Sequence, residues 1–230
     1  MEDFKKIELC PHSQFCGGCI HQGVPYEQQL AAKEAEVLKL LEAKNVTPEK
    51  IDTIEGCPSQ YGYRNKMEYT FGDFVKDGEM TLGMHRKKSF MSIVTVDQCQ
   101  LVDPDFNVIL DGVLKFAIDN EYKAYNKKSH KGLMRNLIIR KGVRTGQLLV
   151  NIVTSSEEGF DEEGFVAMLR GLTLNNTIVG VLRTFNDSLA DAVICDRLET
   201  LWGRDYYEEE ILASSSRSAR SASSRLTWKR

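Results

Sequence analysis

The chain reads as an α+β protein with a largely antiparallel sheet and flanking helices. Three observations predict this: polar and apolar residues alternate over several short stretches, these stretches come in pairs joined by turn residues, and helical stripes fall between the pairs. A hydrophobic fraction of 42% over 230 residues allows a proper core, in one sizeable domain or two small ones.

Tyr26 to Lys44 predicts the first helix, with Leu30, Val37, Leu38 and Leu41 on one face; Asn45 and Pro48 end it. From Tyr63 the pattern becomes alternation. Asn65, Met67, Tyr69 and Phe71 point one way and Arg64, Lys66, Glu68 and Thr70 the other, which predicts a half-buried strand with a charged face. Lys76-Asp77-Gly78 predicts a hairpin turn into the returning strand MTLGMHR, and a third strand, MSIVTV, follows.

Asp103-Pro104 starts a second helix, Asp105 to Glu121, with Val108, Leu110, Val113, Leu114 and Ala117 as its apolar stripe. LMRNLIIRKG and QLLVNIVT, joined across Gly142 to Gly146, predict a second hairpin. A helix near Glu162 to Arg170 is followed by strands near Ile178 to Phe185, Ala192 to Asp196 and Glu199 to Trp202. The last eighteen residues, ASSSRSARSASSRLTWKR, are Ser- and Arg-rich with no apolar period; they predict a disordered tail, with a basic RNA-binding tail or a reading-frame error as other readings.

Cys10, Cys16 and Cys19 stand together in CPHSQFCGGC, and Cys99 lies far downstream in VDQCQLVDP. Four thiolates suit either an iron–sulfur cluster or a structural zinc ion, and His12 or His21 could replace a thiolate at a zinc site. Gly17 and Gly18 are expected to permit a sharp turn through positive φ. Cys57 and Cys195 are expected to be inert small residues.

The net charge of −3 hides a segregation: Lys123 to Gly146 holds eight Lys or Arg and no acid. Such a block can steer a polyanion onto one face. A basic surface is expected from Arg64, Lys66, Arg86, Lys87, Lys88, Arg135, Arg140 and Lys141. No run of eighteen apolar residues occurs and MEDFKKIELC is too polar for a signal peptide, so a cytoplasmic chain without membrane contact is expected.

CPHSQFCGGC, YGYRNKMEYTFG, LGMHRKKS, VDQCQLVDP, LMRNLIIRKG and TGQLLVNIVT, in this order, resemble the RNA (uracil-5)-methyltransferase family, the 23S ribosomal RNA and transfer RNA m5U enzymes. The resemblance covers residues 10 to about 212. It implies that Cys10, Cys16, Cys19 and Cys99 hold a 4Fe–4S cluster. It also implies a reaction in which a cysteine adds to C6 of a flipped-out uracil and C5 takes the methyl of S-adenosylmethionine (SAM), before a carboxylate removes the C5 proton.

Two departures are expected: the small N-terminal β-barrel of many members has no room, and the Rossmann-like methyltransferase domain is expected to be absent. No catalytic or SAM-binding residue of the family can then be placed. The expected organisation is a cluster-binding segment over 1–25, an α+β RNA-recognition domain over 26–212 completed at the cluster by Cys99, and the tail over 213–230. The expected function is the cluster and RNA-binding half of a SAM-dependent 23S rRNA (uracil-5)-methyltransferase, monomeric and inactive alone, with ribosomal RNA or tRNA as partner. The alternative is a non-enzymatic RNA-binding module bearing a cluster or zinc.

Overall fold

The computed structural model describes residues 9–189, 193–211 and 214–219, with Ile211 and 214–219 as backbone only. Helix α1 runs over Tyr26–Ala43, α2 over Pro104–Asp119 and α3 over Glu162–Gly171. The strands are β1 (Lys66–Asp73), β2 (Met80–His85), β3 (Ile93–Thr95), β4 (Met134–Lys141), β5 (Gln147–Thr154), β6 (Thr177–Phe185), β7 (Arg197–Gly203), β8 (Tyr206–Ile211) and β9 (Ser214–Ala219).

Strands β1 to β7 form one sheet in the order β3-β2-β1-β4-β5-β6-β7, and β8 pairs with β9. The sheet is mixed, which corrects the expected largely antiparallel one. β5 and β6 run parallel, with Val150 opposite Val181. Parallel neighbours need a long crossover, and α3 supplies it between them.

α2 and α3 cover one face of the sheet. Their Phe106, Ile109, Leu110, Val113, Phe165 and Leu169 pack on Tyr69 of β1, Leu137 and Ile139 of β4, and Val150 and Ile152 of β5. The stripe of α2 is rotated from the expected one: Phe106 and Ile109 are buried while Val108 is exposed. Asp105, also buried, accepts hydrogen bonds from the amides of Asn175 and Asn176 and from both Asn side chains, tying the start of α2 to the turn after α3. On the other face a smaller cluster joins Leu149, Leu182 and Tyr207 of β8.

α1 does not flank the sheet as a packed helix. None of its residues is buried, and Val37 of the expected stripe is 56% exposed. Tyr26 at its start does hold the segment that follows, taking the Cys57 amide on its hydroxyl. Two further expectations differ. Residues 193–196 form no strand, and the backbone of 214–219 is paired with β8 where the composition predicts disorder, Ser214 facing Ile211. Backbone hydrogen bonds are indifferent to side-chain polarity, so a Ser-rich stretch can still complete a hairpin. Ala213 and 220–230 of the expected tail lie outside the described residues.

Candidate cysteine centre and nucleic-acid interface

Two sequence-distant segments build the cysteine centre. The first is a run of tight turns, with the Ser13 amide donating to the Cys10 carbonyl and the Cys16 amide to the His12 carbonyl. This run is stitched onto the end of β2: the Gly17 amide donates to the His85 carbonyl and the Lys87 amide to the Phe15 carbonyl. Gly17 and Gly18 do not use positive φ, correcting that expectation. Gly17 is required by close approach, since a Cβ there would lie 2.9 Å from the His85 carbonyl oxygen.

The second segment is the turn after β3. There Cys99 is clasped by Asn107 of α2, and His12 Nε2 lies 3.0 Å from Asp97 and accepts from the Gln98 amide. As a result, Cys10, Cys16, Cys19 and Cys99 line one pocket together with His12 and Arg64. His21 is exposed.

Burial pushes the Cys16, Cys19 and Cys99 thiols up, and each is pushed further by neighbouring cysteines. The Gly18 amide, donating to Cys16 Sγ at 3.3 Å, opposes this at Cys16. With their pKa values raised, these thiols stay protonated near neutral pH, and any metal held there would have to displace their protons. Two polar atoms also lack a partner among the described residues: the hydroxyl of fully buried Tyr69, which interacts electrostatically with Cys99, and Oε1 of Gln100, which lines the pocket.

Among the described residues, no group of three or more His, Cys, Asp or Glu converges closely enough to hold one metal ion. Zinc draws its four ligands to about 2.0–2.3 Å of one centre. A multi-iron cluster instead fills the space between its thiolates, and the four cysteines that line this pocket match in number what such a cluster takes.

The eight expected basic residues do not share one surface. Arg86, Lys87 and Lys88 are exposed at the end of β2, where the Arg86 guanidinium lies 5.5 Å from the Phe15 ring and 5.1 Å from the Phe74 ring. Arg64 lines the cysteine pocket, and its Nη1 lies 3.8 Å from Met67 Sδ. Lys66 sits opposite Arg140 in the β1–β4 register and pairs with Glu68 at 3.3 Å.

Two of the eight are internal. Arg135 is 7% exposed, donates to the carbonyls of Asn186 and Ser188 and lies 3.9 Å over the Tyr125 ring. Lys141 is mostly buried in an ion pair with Asp103. An alternating pattern shows which side of a strand a residue takes, not whether another element covers that side. Asn107 and Asp105 carry no motif, and only the packing of α2 reveals their roles.

No family model matches the chain. A Clostridium tetani protein named an uncharacterized RNA methyltransferase is 44% identical over 208 residues, 90% of this chain and 46% of that protein. Another so named, from Caldanaerobacter subterraneus subsp. tengcongensis, is 45% identical over 209 residues, 91% of this chain and 46% of the relative. Among solved structures, the Pyrococcus abyssi tRNA (uracil-54, C5)-methyltransferase in complex with S-adenosyl-L-homocysteine matches with a TM-score of 0.64 at 21% identity, over 88% of this chain and 44% of that one.

The match corrects the expectation that a methyltransferase fold is missing: the described mixed sheet follows the fold of a solved methyltransferase over most of the chain. The chain spans just under half the length of the curated relatives it matches. It belongs to the RNA methyltransferase family that its cysteine, YRNK and VDQC segments resemble.

Proposed function

We propose that this chain is the cluster-bearing, RNA-recognising part of a SAM-dependent RNA (uracil-5)-methyltransferase acting on 23S ribosomal RNA. The observation that carries the reading is the meeting of Cys10, Cys16 and Cys19 with Cys99 around one pocket. A 4Fe–4S cluster held by these four residues would lock the N-terminal turns against β2 and the turn after β3. It would thereby orient Arg86, Lys87 and Lys88, which adjoin those turns through the Lys87–Phe15 backbone bond. Lysine and arginine contacts to phosphate supply affinity and position the RNA without reading its sequence.

SAM supplies the methyl group when bound. The chemistry further needs a nucleophilic thiol and a proton acceptor beside the base. Cys57 and Cys195, the two cysteines outside the pocket, are exposed. The reading gives this chain cluster binding and RNA recognition and expects no methyl transfer from it alone.

Anaerobic purification with iron and sulfide analysis tests the cluster; a brown protein with equal iron and sulfide is expected. A colourless protein with one zinc per chain would overturn it. Incubation with labelled SAM and 23S ribosomal RNA tests the rest: turnover above background would overturn the division of labour.

A further inference from the structure

The turn that joins β2 to β3 carries a side chain that neither the cluster nor the core uses. Phe90 is 86% exposed, and Met91 beside it is 57% exposed. A single exposed apolar residue is ordinary on a protein surface. This one stands within four positions of Arg86, Lys87 and Lys88, all exposed.

The turn is also held in shape. The Arg86 amide donates to the Ser92 carbonyl and the Ser89 amide to the Arg86 carbonyl, while the Ser92 amide donates to Ser89 Oγ. Lys88 takes the left-handed conformation at φ 61° that lets the chain reverse. Lys87 Nζ donates to the Ser13 carbonyl, anchoring the turn to the cysteine loop.

We infer that Phe90 is a base-stacking platform: it receives one unpaired base of a single-stranded RNA segment, while Lys87 and Lys88 take the flanking phosphates. This rests on the RNA-recognition reading above and adds the residue and the kind of RNA. An aromatic face beside cations is the arrangement by which proteins hold single strands, because every base has a π-face and every linkage a charge. A duplex offers no free base face to Phe90, so the site selects loops, bulges and ends. The fixed turn holds the backbone that carries the ring before binding, which removes part of the ordering cost.

The test is a binding titration with a fluorescein-labelled single-stranded 12-mer of mixed uridine-containing sequence and with the same 12-mer in a duplex, over a range of salt. Phe90→Ala should weaken single-strand binding about fivefold to a hundredfold, with an unchanged slope of log affinity against log salt. Phe90→Trp should retain the affinity. Lys87→Ala/Lys88→Ala should instead flatten the slope by about 1.4, from roughly 0.7 for each lost phosphate contact on a single strand. Wild-type affinity in Phe90→Ala, or equal losses on single strand and duplex, would overturn the stacking assignment alone. Failure of the wild-type chain to bind either RNA would overturn the RNA-recognition reading and the stacking site with it.

Discussion

Asn107 and Cys99 hold each other by two reciprocal hydrogen bonds: the Cys99 amide donates to Asn107 Oδ1 at 3.1 Å and Asn107 Nδ2 donates to the Cys99 carbonyl at 3.2 Å. A residue in the first turns of α2 thus sets the backbone of the distant cysteine, so the helix orients the centre through the Cys99 main chain. Asn107→Ala should lower stability by about 1–3 kcal/mol, the range for two lost bonds at a partly buried site. It should also speed the loss of visible absorbance in air. An oxygen-bleaching rate equal to wild type would show that Cys99 needs no such support.

The Asp103–Lys141 pair should give the chain a recognisable acid response. Burial alone would raise the Asp103 carboxyl, but the hydrogen bond from Lys141, the Asp105 amide and the Lys141 charge outweigh it and hold the carboxyl below its usual range. A carboxyl depressed in the folded state contributes stability that is complete above the unfolded value, about 3.9, and lost as pH falls through the folded one. Asp103→Asn should therefore cost about 1–2 kcal/mol at neutral pH, and its urea midpoint should converge with wild type below about pH 4. Stability curves that stay parallel as pH falls well below about 4 would rule out the pair as the source.

Arg135 should behave as a structural residue. Its guanidinium donates to two carbonyls just beyond β6 and covers the Tyr125 ring. Arg135→Ala should destabilise the fold by about 2–4 kcal/mol, because it leaves buried carbonyls unsatisfied and removes a packed side chain. Urea denaturation measures this. A stable variant with weakened RNA binding would instead place Arg135 at the interface.

Much of the framework was legible in the sequence. Alternation around Met67, Tyr69 and Phe71 located β1, and Lys76-Asp77-Gly78 located its turn, where Asp77 takes a φ of 59°. The cysteine spacing brought four residues to one pocket because thiols clustered in sequence need only one distant partner.

What stayed illegible depends on elements covering one another. α1 has a helical stripe that nothing described buries, since periodicity reports a face and never its occupant. The parallel β5–β6 pair could not be told from an antiparallel one, because both strands are buried on each side and show no clean alternation. Arg135 and Lys141 read as surface cations until α2 and residues 186–188 closed over them.

The seam joining the N-terminal turns to β2 bears on how the chain resists proteolysis. Gly17 and Phe15 are held to the β2 end by two backbone bonds. The Lys87–Ser13 and Gln98–His12 hydrogen bonds and the packing of Phe15 on Phe74 and Arg86 close the same seam, so a group bridging it to Cys99 adds to these, and without that group the turns around half-exposed Phe15 are where a protease would enter. On the proposed reading, loss of the cluster would then shorten the life of the folded chain as well as loosen its N-terminal turns. Limited digestion of iron-loaded and iron-free chain should show this as cleavage within residues 10–19 in the second alone.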